Sequence, residues 1–493
     1  MTTIMVRLTG EVATKGRRTR RRFQKALVRN IRGACRSAGI EAEVADEWSR
    51  LFVRSEDDGV EDVLARVFGI SSYSTVEAEC EADLKAIVRT GRELFAERVR
   101  GHTYAVRARR SGTHSFCSQD VRERLGAALN PGARVDLRRP EVEACVEVRD
   151  DRALLYSQTV RGPGGLPLGV EGKAVCLISG GFDSAVAAWM VLRRGVALDY
   201  VFCNLGGAAY RRMAVDVARV VADLWSHGTR PHMHVLDFGP VVADLRRAGR
   251  PALLQVLLKR QMVRAASRIG TEIGADAIVT GEAVGQVSSQ TLANLRAIES
   301  AAALPILRPL VGFDKEEIIR RSKEIGTHEL SARVREYCSI TEGHPATAAR
   351  VEVVERDEGN LDPAVLERAL EEAQTFNLRD ADPAACAGAS LFLENVPPDA
   401  VVIDTRDAEP FRGWHWPGAV RRPFEELMRS HRDLDRERSY LLVCEQGLKS
   451  AQVAERMQAD GYEAYSFLGG VPRLRRLAAR AGAGSGGMSE AGE

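Results

Sequence analysis

No apolar run in this sequence approaches the roughly 18 residues that a membrane-spanning helix needs. Met1 to Arg22 carries charges where a secretory leader needs an apolar stretch, so neither an anchor nor an export signal is expected. Nine cysteines, at 35, 80, 117, 145, 176, 203, 338, 386 and 444, lack the CxxC spacing of a zinc or iron–sulfur site and the pattern of a disulfide framework. Most read as small buried hydrophobes, no metal cluster is expected, and a reducing cytoplasm is the expected compartment. Charge of one sign is also missing. Lys plus Arg total 70 against 68 for Asp plus Glu, a net +2 that gives the whole chain no nucleic-acid footprint. No internal repeat marks a solenoid.

At 493 residues the chain exceeds one ordinary core and implies about three or four domains. Its 45% hydrophobic and 28% charged residues are the balance of a globular protein rather than a disordered one. The charge is unevenly placed. Between Lys15 and Arg32 fall Arg17, Arg18, Arg20, Arg21, Arg22, Lys25 and Arg29 with no acid among them, and Arg107, Arg109 and Arg110 form a second cluster. Such patches attract a polyanion, although an Arg-rich helix face merely in water fits the first run equally well.

Periodicity divides the chain into α/β segments. A strand over 3–8, a helix over 20–37, a strand over 51–53 and a helix over 60–67 make one small unit, bounded at 1–75. A helix over 82–99, a strand over 104–108, a helix over 118–129 and strands over 142–148 and 153–159 make a second, at 76–160. The Gly- and Pro-containing run Arg161–Pro167 reads as a linker, extended to 161–172. From 173 to 380 strands (173–178, 197–204, 233–236, 277–280) alternate with helices (184–193, 214–226, 257–269), the order of a parallel doubly wound sheet. Around 374–388 the periodicity lapses. Strands at 401–404 and 439–443 and a helix at 449–460 fill a last domain at 390–480, and the Gly-, Ala-, Ser- and Glu-rich tail 482–493 reads as disordered.

Two turns carry chemistry. Ser179-Gly180-Gly181-Phe182-Asp183-Ser184 lies between an apolar strand and a helix, where backbone amides and a helix N-terminus converge on phosphate. Its glycines permit close approach, its serines donate, and Asp183 suits Mg2+ or a helix cap. The GKS or GKT ending of a Walker loop is absent. The second turn, Cys444-Glu445-Gln446-Gly447-Leu448-Lys449-Ser450, runs from a buried strand into a helix N-terminus. That setting favours a thiolate, and Lys449 adds a cation.

The first turn resembles the SGGxDS loop of the ATP pyrophosphatase superfamily. With it, Phe202–Gly207, Lys259 in LLKRQMVRAA, Thr280–Ala283, Gly285–Thr291 and Arg308-Pro309-Leu310 resemble the tRNA 4-thiouridine synthetase, or tRNA sulfurtransferase, family. By that resemblance Leu177, Ile178, Phe202 and Cys203 frame the adenine of ATP. Ser179, Gly180, Gly181, Asp183 and Ser184 grip its phosphates, and Lys259, Gly281 and Gln290 complete the site. The second turn, with Val402–Arg406, Trp416–Ala419 and Phe467–Gly470, resembles a rhodanese domain. Cell-cycle phosphatases of related fold use a loop one residue longer, so sulfur transfer is favoured over phosphate hydrolysis. Lys449 stands where many rhodaneses carry Arg, which keeps charge but loses bidentate donation. Cys338, in Arg335-Glu336-Tyr337-Cys338-Ser339-Ile340, sits where the family has its partner cysteine.

Upstream, Gly10–Gly16, Arg107–Arg110, Gly126–Leu129 and Val135–Pro140 resemble the ferredoxin-like and THUMP domains of the same family, with modest departures at Val12 and Thr14. Lys15, Arg17, Arg18, Arg107, Arg109 and Arg110 are then the expected tRNA contacts, which position RNA without reading its sequence. The resemblance covers nearly the whole chain. It implies a multidomain α/β enzyme that uses ATP, with Mg2+, to adenylate the uridine at position eight of tRNA. Catalysis falls to Cys444, Cys338, Asp183 and Lys449. Sulfur then passes from a Cys444 persulfide, directly or as bisulfide freed by Cys338, to make 4-thiouridine. A cysteine desulfurase is the implied donor and a homodimer the family expectation. Sulfur supply to a carrier protein of thiamine thiazole synthesis is a second implied role. A non-catalytic tRNA-binding protein with a vestigial nucleotide site is the competing reading.

Overall fold

The computed structural model describes residues 1–47, 50–205, 207–334, 344–380 and 391–484. Cys338 with its 335–340 context, Gly206, Cys386 and the tail beyond Gly484 lie outside the described residues. The chain forms two compact units. The first comprises Met1–Gly172 with Leu192–Ala197 and Trp225–Thr229; the second comprises Lys173–Val191, Leu198–Leu224 and the chain from Arg230 onward.

The first unit opens with strand β1 (Thr2–Leu8), followed by β2 (Glu43–Glu47), β3 (Arg50–Ser55) and β4 (Ile70–Val76). They pair antiparallel in the order β4-β1-β3-β2. The helix Arg17–Ser37 covers this sheet with a stripe of Leu27, Ile31, Ala34 and Cys35. Leu27 and Ile31 are fully buried, each contributing about 1.5–3 kcal/mol, whereas exposed ion pairs contribute about 0–1 kcal/mol. The fold of this helix therefore owes little to its basic face. Arg17, Arg18, Arg21, Arg22 and Lys25 point to solvent.

A second sheet follows from β5 (Ala78–Glu81), β6 (Thr103–Ser111), β7 (Arg134–Val135), β8 (Val142–Arg149) and β9 (Arg152–Tyr156), in the order β5-β9-β8-β6-β7. The helices Leu84–Val99 and Ser118–Leu129 pack on it through Ile87, Phe95, Val121 and Leu125. They cross closely because Gly91 has no Cβ; one there would lie 2.7 Å from Leu125.

The run expected to be a linker, which ends at the boundary between the two units, packs into this first unit. Its first residue ends β10 (Val160–Arg161), which adds to β4 at the edge of the first sheet. The Gly69 N–H donates to the Gly164 carbonyl (2.8 Å), the Thr9 hydroxyl to the Gly165 carbonyl (3.0 Å), and Leu166 and Leu168 are buried. Here glycine serves close packing rather than flexibility: a Cβ on Gly165 would lie 2.1 Å from the Arg193 carbonyl oxygen.

The second unit holds two sheets, the first parallel except for one edge strand and the second parallel throughout. Strands β11 (Lys173–Leu177), β12 (Ala197–Asn204), β13 (His232–Asp237), β14 (Ala277–Val279) and β15 (Ile306–Leu307) stand in the order β15-β14-β11-β12-β13. The chain winds outward from β11 through β12 to β13, then returns to β14 on the other side. The switch between β11 and β14 opens a crevice at their carboxyl ends, where such sheets bind ligands. The stretch read as aperiodic begins with a strand, β16 (Gln374–Asn377), which pairs antiparallel with β13. Four residues at a sheet edge give too short an alternation to be seen in sequence, and an antiparallel edge on a parallel sheet is common.

The last sheet has strands β17 (Phe392–Leu393), β18 (Val401–Asp404), β19 (Val420–Arg421), β20 (Ser439–Val443) and β21 (Glu463–Phe467), ordered β17-β21-β20-β18-β19 and parallel throughout. Its closing helix, Gly470–Gly484, runs into the segment expected to be disordered. The helix reaches three residues into the Gly-rich composition.

Candidate active site

The strand β11 ends in the SGGFDS turn, and the helix Phe182–Leu192 begins inside it. The turn is tied by its own serines. The Ser179 N–H donates to Ser184 Oγ (3.2 Å), and the Ser184 hydroxyl donates to the Gly181 carbonyl (3.2 Å). Gly180 has φ +79°, and a Cβ there would lie 3.0 Å from Ala214 Cα. Gly281, after β14, lies against the same turn, where a Cβ would come within 2.6 Å of the Asp183 carbonyl carbon. The adjoining loops touch because both positions are glycine.

A cavity opens at this crevice. Leu177, Ile178, Ser179, Gly181, Asp183, Ser184, Phe202, Cys203, Lys259, Gly281 and Gln290 line it. Every ATP-site residue expected from sequence thus gathers around one cavity, with Gly180 in the turn behind it. Phe202 and Tyr210 form an aromatic pair on its wall, ring centroids 5.3 Å apart. Burial pushes the Cys203 thiol far above its ordinary pKa, which suits an apolar wall and not a nucleophile.

Charge in the cavity is held in two knots. Asp183 accepts from Gln286 Nε2 (2.8 Å) and Lys315 Nζ (2.9 Å). Glu282 accepts from Lys259 Nζ (3.0 Å), Arg308 Nε (2.9 Å) and the Thr280 hydroxyl (3.1 Å). Burial pushes the Glu282 carboxyl up, but Lys259 and Arg308 more than offset this and hold it below the ordinary carboxylate range. Gln290 is oriented through its amide oxygen: Oε1 accepts from the Ala283 N–H (3.1 Å). Lys315, Gln286 and Glu282 were missed as site residues. Lys315 lies 132 residues from Asp183, beyond any local pattern, whereas Gln286 and Glu282 stand inside noted motifs. Among the described residues no group of three or more His, Cys, Asp or Glu side chains is gathered as for a metal ion. Asp183 is the single carboxylate at the turn, a donor set suited to Mg2+ that arrives with phosphate oxygens.

The sulfur turn is built differently. Strand β20 delivers Cys444, which is 4% exposed, and the helix Leu448–Ala459 starts just beyond. Cys444 Sγ accepts from the Gly447 N–H (3.1 Å) and the Ser450 hydroxyl (3.3 Å), and Ser450 is itself fully buried against Ser466 (2.9 Å). Gly447 has φ +82°. Arg406 braces the turn from behind, pairing with Asp404 (2.7 Å) and Glu445 (3.1 Å) and donating to the Trp414 carbonyl (2.6 Å). The structure sets the Lys449 ammonium over the Phe424 ring, 5.1 Å from its centroid. Ser450, not Lys449, supplies the side-chain contact to sulfur.

Of the expected tRNA contacts, Lys15, Arg17, Arg18, Arg107, Arg109 and Arg110 are all exposed. Arg107 already pairs with Glu143 (2.9 Å) and donates to the Leu137 carbonyl (2.9 Å).

A doubly wound sheet with a glycine- and serine-bearing turn at its switch point, followed by a parallel domain cradling one cysteine, has the plan of an ATP pyrophosphatase-type domain joined to a rhodanese-type one. Sequence families agree. Residues 3–74 match the ThiI ferredoxin-like domain, 81–158 the THUMP domain, 169–362 the thiamine biosynthesis protein (ThiI) and 390–475 the rhodanese-like domain. The chain is 38% identical to the tRNA sulfurtransferase of Pyrobaculum aerophilum, over 95% of this chain and 96% of that one. It is 35% identical to that of Pectobacterium atrosepticum, over 93% and 98%. A crystal structure of a 4-thiouridine synthetase–RNA complex with bound ATP superposes with a TM-score of 0.66 at 31% identity, covering 76% of this chain and 99% of that one. A Pyrococcus horikoshii protein shares the fold at 24% identity, with a TM-score of 0.53 over 66% of this chain and 100% of its own. The chain belongs to the tRNA sulfurtransferase (ThiI) family. No helix among the described residues is long and apolar enough to cross a membrane.

Proposed function

We propose that this chain is an ATP-dependent tRNA sulfurtransferase that converts uridine at position eight to 4-thiouridine. The observation that carries the reading is the pairing, in one family member, of the Asp183 cavity with a cysteine sulfur cradled by an N–H and a hydroxyl. ATP occupies the cavity, accompanied by Mg2+. The Ser179–Ser184 turn holds its phosphates, and Lys259 exchanges Glu282 for phosphate oxygen. The uracil 4-oxygen attacks the α-phosphorus, and pyrophosphate leaves. The O4–adenylate now has AMP as a good leaving group at C4.

Sulfur reaches Cys444 from a cysteine desulfurase as a persulfide, Cys444–S–SH; the pyridoxal phosphate of that step belongs to the partner. Two orders complete the reaction. In one, the terminal sulfur attacks C4 and expels AMP, leaving Cys444 disulfide-linked to the base. Cys338 thiolate then attacks Cys444 Sγ and frees 4-thiouridine. In the other, Cys338 attacks first and releases bisulfide, which displaces AMP. Both end in a Cys338–Cys444 disulfide that a two-electron thiol reductant reopens. Exposed Lys15, Arg17, Arg18, Arg109 and Arg110 supply phosphate contacts for the tRNA.

The test incubates the chain with tRNA, ATP, cysteine and a desulfurase. Cys444→Ala is expected to form AMP without thiolating tRNA, and full thiolation by it removes the carrier assignment. An ATP-to-AMP assay on the unmodified chain separates this reading from that of a non-catalytic RNA binder. The family description also favours sulfur supply for thiamine thiazole synthesis as a second role. That role uses Cys444 and tolerates loss of Asp183, so an Asp183→Ala strain that still makes thiamine but no 4-thiouridine supports it.

A further inference from the structure

Glu147 is a buried carboxylate, 1% exposed, near the end of β8, with three guanidinium partners. Arg7 of β1 (3.5 Å) and Arg50 of β3 (3.0 Å) come from the first sheet, and Arg149 (2.6 Å) from its own strand. Arg7 is fixed further by the Ser74 hydroxyl (2.9 Å) and lies over the Tyr156 ring at 5.0 Å. Around this knot Met5 and Phe52 of the first sheet pack against Cys145, Leu154 and Tyr156 of the second. The two modules that sequence divides near residue 75 therefore share a seam that buries the Glu147 cluster, with a second ion pair, Glu47 of β2 to Arg152 of β9, at its more exposed edge.

The apolar contacts account for cohesion but not for angle, because hydrophobic burial is non-directional. A buried ion cluster contributes little net stability, and its best-attested use is to fix one register among several. Position matters as well. Glu147 is the cross-strand partner of Arg109 on β6, and Arg7 lies on the strand that leads into the basic helix Arg17–Ser37. Both exposed basic patches are thus anchored beside the same carboxylate, and rotation at the seam would change the spacing between them.

We infer that Glu147 is a positioning residue for the RNA substrate, locking the ferredoxin-like and THUMP modules into one rigid body with a fixed spacing between two phosphate-binding patches. This rests on the tRNA reading above. Its test therefore has one arm without RNA. In the full chain, Glu147→Met keeps the volume and removes the charge. Hydrogen exchange is expected to quicken at least tenfold in β1 and β8, while the melting temperature of the second unit stays unchanged. In the thiolation assay KM for tRNA is expected to rise about tenfold with kcat within twofold, and persulfide loading on Cys444 is expected to be unaltered. Glu147→Gln, which retains hydrogen bonding, is expected to fall between. Should Glu147→Met not fold, Arg50→Met leaves Arg7 and Arg149 in place and is expected to raise KM in the same direction. Unchanged exchange and KM in the folded variant would overturn the inference, as would a fall in kcat and persulfide loading as large as the rise in KM. Quickened exchange with unchanged KM would leave the lock standing and remove its link to RNA.

Discussion

The turn after β11 and the turn after β20 share a plan: buried parallel strand, glycine with positive φ, serine turned inward, helix N-terminus. They differ in what faces the ligand. At Ser179–Ser184 the donors surround an open cavity whose charges are mutually paired, Asp183 with Lys315 and Glu282 with Lys259. At Cys444 the donors are an amide and a hydroxyl, both already aimed at one atom. A site that must admit and release a polyphosphate keeps exchangeable ion pairs. On the proposed reading, the Cys444 site receives its negative charge against fixed dipoles, which cost no reorganisation when charge arrives.

Divided in this way, the two turns should fail independently. The largest effect is expected from Cys444→Ser, which should reduce tRNA thiolation to background while AMP formation continues; assaying both products on one sample checks it. Asp183→Asn should do the reverse, lowering AMP formation about 100-fold or more through lost charge at the phosphate turn. Persulfide loading measured by alkylation and mass spectrometry should not change. Ser450→Ala should give a smaller loss. A hydrogen bond to a charged group contributes about 1.5–3 kcal/mol, so persulfide loading on Cys444 should slow about tenfold or more. Alkylation and mass spectrometry of Cys444 over a time course read this directly.

The smallest effect concerns Glu282 and acid. Its folded carboxyl is held below its unfolded value by Lys259 and Arg308, so the unfolded chain takes up the proton first. The stability it contributes is whole above the ordinary carboxylate pKa of about 4.3 and is lost as pH falls through the lower folded value. Denaturation curves of the unmodified chain and Glu282→Gln should therefore differ at pH 7 and converge as the medium is acidified. Convergence at neutral pH would show that the Lys259–Glu282–Arg308 knot does not store the charge assigned to it.

Much of both turns was visible in the sequence because strand, glycine and helix are contiguous there, and period and spacing report contiguous structure well. The lining of the cavity followed only where resemblance supplied it. Lys315 escaped because the doubly wound topology, not the chain, brings it to Asp183, and a lysine in the first turn of an Asp-capped helix looks like any solvated one. The position of Lys449 was hidden for a related reason: charge and spacing place it near the sulfur, whereas the fold sets its ammonium over the Phe424 ring. The 161–172 run does end where the two units divide, but Gly and Pro mark both flexible joins and tight packing, and composition cannot tell which.

That run also bears on how the protein can be dismembered. A fragment cut at the apparent boundary after Val160 would lose Arg161 from the edge strand, the carbonyls that close Thr9 and Gly69, and the buried Leu166 and Leu168. Even one ending at Gly172 would lack Trp225, which stacks on Phe68 within the same unit at 5.4 Å. The amino-terminal portion is a borrower of later sequence. It completes itself only after more than two hundred residues have left the ribosome, so its native packing is a late event in synthesis rather than an early one.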